Sequence, residues 1–242
     1  MPSCVDESYI GSIINAKLLN MNYNTISKHV DIVLLGSFNP AIFHPEWFIK
    51  NNIIAEWEYT QKDILFVPDV TRVSLPSERY LAVLPDQFSI RATMPSDFLG
   101  LRDIVTSTFT LLKETPINQM GLNYTAVFKL SKDDWVTFGK KLVPTEVWTN
   151  SAKYFSELDD KKKEQAGLLA LTMHLPRPDE LNGFILSRLR VKSFENYEII
   201  FEINNHIEIE NKDVSQMLKI LESSWEKSLL FAETYIGNIL NA

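Results

Sequence analysis

The sequence predicts an α+β protein in which a β-α-β(3-4)-α unit occurs twice by internal duplication, forming one curved antiparallel sheet with helices on one face. Three observations lead there. Two apolar, strand-like segments, residues 30–38 and 120–130, each run into a short helix whose first turn carries an acidic residue followed by tryptophan: Glu46-Trp47 and Asp134-Trp135. Each short helix precedes a series of segments with alternating hydrophobicity, the pattern of half-buried strands. Each series then closes in a longer amphipathic helix.

The first unit opens on Val30-Asp31-Ile32-Val33-Leu34-Leu35, β-branched and apolar, which suits a pleated and partly buried surface. Gly36-Ser37-Phe38-Asn39-Pro40 ends it in a turn. Pro45 fits the first position of a helix that runs to Asn52. Strands are expected at 53–59, 64–67 and 70–75, followed by a hairpin over 79–93. The hairpin turns at Leu84-Pro85-Asp86-Gln87, where proline favours a type I turn. Asp97 is placed to cap a helix with the stripe Leu101, Ile104 or Val105, Phe109 and Leu112, stopped before Pro116.

The second unit repeats the order. After 120–130, Ser131 can cap a helix, with Asp134 three residues on to complete a capping box. Residues 144–167 are an insertion, and their charged run at 157–164 reads as a solvated loop or helix tip. Strands are expected at 168–175, 183–193, 197–203 and 207–210. Asp213 and Gln216 then open a final helix striped by Val214, Met217, Leu221, Trp225, Ala232, Ile236 and Leu240. The division is therefore 1–29 as an N-terminal extension, 30–118 as the first repeat and 119–242 as the second. In the extension Tyr9, Ile10, Ile13, Ile14 and Leu18 have helical spacing, broken by the asparagines from Asn20 to Asn24.

Composition narrows the class. Of 242 residues 45% are hydrophobic and 23% charged, which are globular values. The one cysteine, Cys4, forbids an intrachain disulfide and points to a reducing cytoplasm. The first residues lack a positive region followed by a long apolar run, and no segment approaches the roughly 18 apolar residues of a membrane span. A net charge of −7 disfavours a protein built mainly to grip phosphate, although a local basic face can coexist with an acidic total.

Strand faces follow from hairpin register. With Phe194-Glu195-Asn196 as the turn, Val191 faces Ile199 and Leu189 faces Phe201 on one apolar side. The other side then sets Lys192 against Glu198 and Arg188 against Glu202, with Arg190 between them. A slip of one residue would bury arginine against Phe201, at a large desolvation cost. In the first half the same logic buries Leu81, Val83, Phe88 and Ile90 and leaves Tyr80 opposite Arg91. The candidate binding face is thus Tyr80, Arg91, Arg188, Arg190 and Lys192.

The order β-α-β-β-β-β-α given twice resembles the TATA-binding-protein fold, which implies a continuous curved sheet with its long helices on the convex side. Gly36-Ser37-Phe38-Asn39-Pro40-Ala41-Ile42-Phe43 and Gly121-Leu122-Asn123-Tyr124, with the meander and C-terminal helix, also resemble a sporadically distributed family of uncharacterised bacterial proteins. That resemblance implies a bacterial source and a variable genomic locus such as a phage-defence island, and no activity.

Enzymatic readings find less support. Gly36-Ser37-Phe38-Asn39-Pro40 followed by His44 resembles the opening of nucleotidylyltransferases, where a glycine turn and paired histidines hold triphosphate. Here the two histidine places are Ile42 and Pro45, His44 is off register, and the distal Ser-Ser-Thr-basic motif is missing. His29, His44, His174 and His206 lie at no metal-ligand spacing, and the 8 glycines form no phosphate-cradling loop. We therefore expect no catalytic residue, metal or cofactor. The expected role is a non-enzymatic accessory subunit of a larger complex, in antiviral defence, whose open sheet face holds a protein partner. The alternative is a nucleic-acid sensor using that face, since a sheet of this kind can open a minor groove with few charges.

Overall fold

A computed structural model describes residues 23–55, 64–163 and 167–241. Nine strands form a single open sheet in which every pairing is antiparallel: β1 (Tyr23–Gly36), β2 (Ile64–Val67), β3 (Val70–Leu75), β4 (Arg79–Val83), β5 (Gln87–Ala92), β6 (Ile117–Leu130), β7 (Ala170–Pro176), β8 (Gly183–Ser193) and β9 (Glu198–Glu208). The helices are α1 (Pro45–Lys50), α2 (Phe98–Leu111), α3 (Lys132–Leu142), α4 (Thr145–Ser151), α5 (Asp160–Lys163) and α6 (Val214–Asn241). The class is α+β, and the spatial order is β2-β3-β4-β5-β1-β6-β9-β8-β7. At its middle the long strands β1 and β6 pair from Tyr23↔Leu130 to Gly36↔Ile117. Each meander hangs from this pair by its last strand, β5 on one side and β9 on the other.

Alternation decides the layers. Val30, Ile32 and Leu34 of β1 point the same way as Leu122, Tyr124 and Ala126 of β6, and all are buried. Leu101 and Phe109 of α2, and Trp225 and Ile236 of α6, cover that side. Phe48 of α1 and Phe138 of α3 join the same core, and Trp47 and Trp135 pack half-buried against it. Trp225 and Glu233 help to fasten α6. The Trp225 indole donates to the Phe98 carbonyl at 3.0 Å, joining the two long helices. Glu233 accepts from the Tyr124 hydroxyl at 3.0 Å and from Lys28 Nζ at 2.8 Å, joining α6 to β6 and β1. Lys28 holds Glu233 below its ordinary pKa, and burial with Glu233 alongside pushes the Tyr124 hydroxyl up. Among the described residues no helix is long and apolar enough to cross a membrane.

Several expectations are corrected. β1 starts at Tyr23, inside what reads as an extension, because the long β6 supplies backbone partners that a polar segment does not advertise; a register shift between Thr25 and Ser27 accommodates it. β1 stops at Gly36 rather than Phe38. A Cβ at Gly36 would come within 2.1 Å of the Pro116 carbonyl, and Ser37 and Phe38 turn away to bond Pro116 and Pro85. Residues 53–55 form no strand; the rest of that segment, with Trp57, Cys4 and the spacing from Tyr9 to Leu18, lies outside the described residues. β9 runs unbroken where two strands were expected. Its polar stretch is satisfied in place: core-facing Asn205 donates to Ser228 Oγ at 2.7 Å and accepts from Arg177.

The caps are mixed. Ser131 Oγ accepts from the Asp134 amide at 3.1 Å, as expected of an N-cap, and donates to the Asp134 carboxylate at 2.6 Å. Asp97 stands at the α2 N-cap position but makes no side-chain cap bond; both its oxygens hold Arg79. The insertion contains α4, a 3₁₀ turn (Lys153–Glu157) and α5.

Candidate functional site: the open sheet face

Residues between the buried ones point away from the helices and make a second, polar face. One row crosses five strands: Tyr80 is opposite Arg91, Arg91 opposite Asp31, Asp31 opposite Asn123, and Asn123 opposite Asn204. Arg91 Nε donates to Asp31 Oδ1 at 2.6 Å, and Asp31 is only 8% exposed. A carboxylate so shielded needs this cation, because a buried unpaired charge is costly. His29 Nε2 lies 3.7 Å from Asp31 Oδ2. Burial holds its pKa below the ordinary value and Arg91 lowers it further, against the pull of Asp31 and Glu202.

A second group lies on β8. Arg190 gives Nε and Nη2 to the two oxygens of Glu202, both at 3.1 Å. Lys192 Nζ is 3.2 Å from Glu198. The reading that paired Arg188 with Glu202 is corrected in part. Arg188 is the residue across the ladder, but the hydrogen bonds come from Arg190, the diagonal neighbour, which long side chains can reach. Arg190 is accordingly the leading cause of the lowered Glu202 pKa, with Arg188 and His29 adding to it through charge alone.

All five expected residues therefore share the open face, but in two groups. Tyr80 (49% exposed) and Arg91 meet on β4 and β5, while Arg188, Arg190 and Lys192 sit on β8, four strand steps from β5. At the usual strand spacing that is about 19 Å. Between them lie Glu202, expected from the sequence only as the partner of Arg188, and Asp31, Asn123 and Asn204, which the sequence did not single out. Their even or odd position on each strand is legible, but knowing they are neighbours needs the pairing of β1, β6 and β9.

The centre of the face is a shallow notch at Gly121, which stands between Val33 and His206. A Cβ there would lie 3.3 Å from Asn123 Oδ1 and 3.5 Å from Asn204 Oδ1. Both oxygens are buried and accept no hydrogen bond. Beside them Phe184 stacks between His174 and His206, with ring centroids 5.0 and 4.6 Å apart. Burial lowers the His206 pKa. The face thus offers fixed donors, acceptors and aromatic edges, arranged for hydrogen-bonded recognition.

His44, the histidine of the glycine-proline segment, has a local duty: its Nδ1 accepts from the Glu46 amide at 3.3 Å and caps α1, and its ring meets Phe66 edge-on at 5.1 Å. Among the described residues no group of three or more His, Cys, Asp or Glu side chains could hold a metal ion. Compared with protein-family models and with curated proteins, the chain matches none.

Proposed function

We propose that the protein is a non-enzymatic binding subunit that holds a protein partner on the open face of its sheet, as part of a larger assembly. One observation carries this reading: among the described residues three of the four expected cations of that face are already neutralised, and the fourth, Arg188, lies across the ladder from Glu202. Arg91 is paired with Asp31, Arg190 with Glu202, and Lys192 with Glu198. Phosphate binding draws its strength from uncompensated cations that displace condensed counterions. A protein interface instead uses a fixed pattern of donors, acceptors and complementary charges, and the chain's net charge of −7 points the same way.

The symmetric hanging of both meanders from β1 and β6 supports reading the chain as two copies of one unit, curved as in the TATA-binding-protein fold it resembles. The bacterial antiviral role rests on the second resemblance and is proposed with it. A nucleic-acid sensor is the second reading, favoured by the His174-Phe184-His206 stack beside two amides. The test is affinity purification from the native host, comparing the wild type with an Arg91→Glu/Arg190→Glu variant. The wild type should retain a stoichiometric protein partner that the equally folded variant loses. Retention by both, or capture of nucleic acid alone, would overturn the proposal.

A further inference from the structure

On the other side of the sheet, α3, α4 and the 3₁₀ turn at Lys153–Glu157 stand off from β8 and enclose a cavity of about 890 Å³. Its floor is Leu189, Val191 and Ile199, whose register places them on the helix side, away from the open face. Its walls are aromatic: Trp135 meets Phe194 and Tyr197 edge-on or tilted, with centroids 6.0 and 5.9 Å away, and Phe138 and Phe155 complete them. This volume and lining are those of a small-molecule site, apolar with a few polar groups.

The charges are uneven. Among the described residues Lys132, Lys140, Lys163 and Arg190 line the cavity against a single carboxylate, Glu146, and Arg190 is engaged by Glu202 on the open face. None of the three lysines makes an ion pair among the described residues, whereas Arg91, Arg190 and Lys192 of the open face all do. A solvated helix face would explain lysines on α3 alone. The three come from two elements, α3 and α5, and border one aromatic hollow in a chain of net charge −7.

We propose that this cavity binds a small amphipathic anion, with an apolar body on Leu189, Val191, Ile199 and Phe138 and a carboxylate or similar acid group among Lys132, Lys140 and Lys163. The inference is independent of the open face and of its partner. The test uses the full chain and dodecanoate below its micellar concentration, titrated by calorimetry. Dodecanoate should bind saturably, one per chain, and dodecyltrimethylammonium, with the same tail and opposite charge, at least about tenfold more weakly. Exchanging all three lysines (K132Q/K140Q/K163Q) should weaken dodecanoate about tenfold without changing the melting temperature. Gly139→Phe provides an independent check, because Gly139 lines the cavity in mid-helix and a Cβ there meets Leu168 at an ordinary 3.9 Å. That variant should fold and no longer bind. No saturable binding, equal binding of the cationic detergent, or unchanged binding by Gly139→Phe would each overturn the proposal.

Discussion

Arg190 grips Glu202 with two hydrogen bonds of 3.1 Å, although the residue facing Glu202 across the ladder is Arg188. Arg190 and Glu202 are partly exposed, so their pair contributes little to stability, about 1 kcal/mol or less. Arg190→Glu should therefore fold and melt within a few degrees of the wild type while placing two carboxylates side by side on the open face. Loss of the protein partner at unchanged secondary structure is the expected result. Arg188→Glu should have the smaller effect, because it breaks no hydrogen bond to Glu202.

For nucleic acid, the paired cations predict weak binding. Duplex DNA should bind with a dissociation constant near 10⁻⁴ M or poorer at physiological salt, the range of non-specific contact. If Arg91, Arg188, Arg190 and Lys192 tracked phosphates instead, affinity would fall with a log–log salt slope of about −0.9 per phosphate contacted. Filter binding or anisotropy across a salt series separates the two. Tight binding with a steep slope, lost in the Arg188→Glu/Arg190→Glu variant, would establish the nucleic-acid reading.

Histidine sets the acid limb of stability. His29 and His206 both have folded pKa values below the ordinary 6.5, chiefly through burial. The unfolded chain therefore binds protons at a pH where the folded chain does not. Their contribution is complete above about 6.5 and is lost as pH falls through the lowered folded values. Denaturant unfolding should show stability declining as pH falls below about 6.5, before the carboxylates titrate. In a His29→Asn/His206→Asn variant that decline should vanish, leaving the drop at lower pH where Glu202 and Glu233 take protons. A flat wild-type profile across this window would refute the assignment.

Gly183 opens β8 with φ +139°, and a Cβ there would lie 2.1 Å from the His206 carbonyl oxygen. Gly183→Ala must strain the backbone and push the start of β8 off β9. We expect a loss on the order of 2–3 kcal/mol. For a chain of this size that is a fall in melting temperature of about 4–12 °C, measured by scanning calorimetry.

Trp225 is fully buried and tied to Phe98. Trp225→Ala should cost about 3–5 kcal/mol from lost apolar burial and the cavity left behind, with the greatest loss of amide protection in α2 and α6, read by hydrogen exchange.

Much of this architecture is written locally. β2, β3 and β8 span the residues expected from the sequence, and the Val191–Ile199 and Leu189–Phe201 pairs sit in the register that hydrophobicity requires. Tyr80 stands opposite Arg91 for the same reason. A period of two tells each strand which residues to bury, and a one-residue slip would bury charge. Tertiary structure decided the rest. Tyr23 to His29 became strand because β6 lay beside them. Asp97 gave up its helix cap for Arg79, a residue 18 positions away. Asp31, Asn123 and Asn204 became neighbours only when β1, β6 and β9 met, and Arg190 displaced Arg188 at Glu202 by reaching diagonally across the ladder. Periodicity is a property of one segment and can be read there. Partnership depends on which distant strands pair and on which of two long side chains can reach, and neither is encoded in the spacing of a single strand.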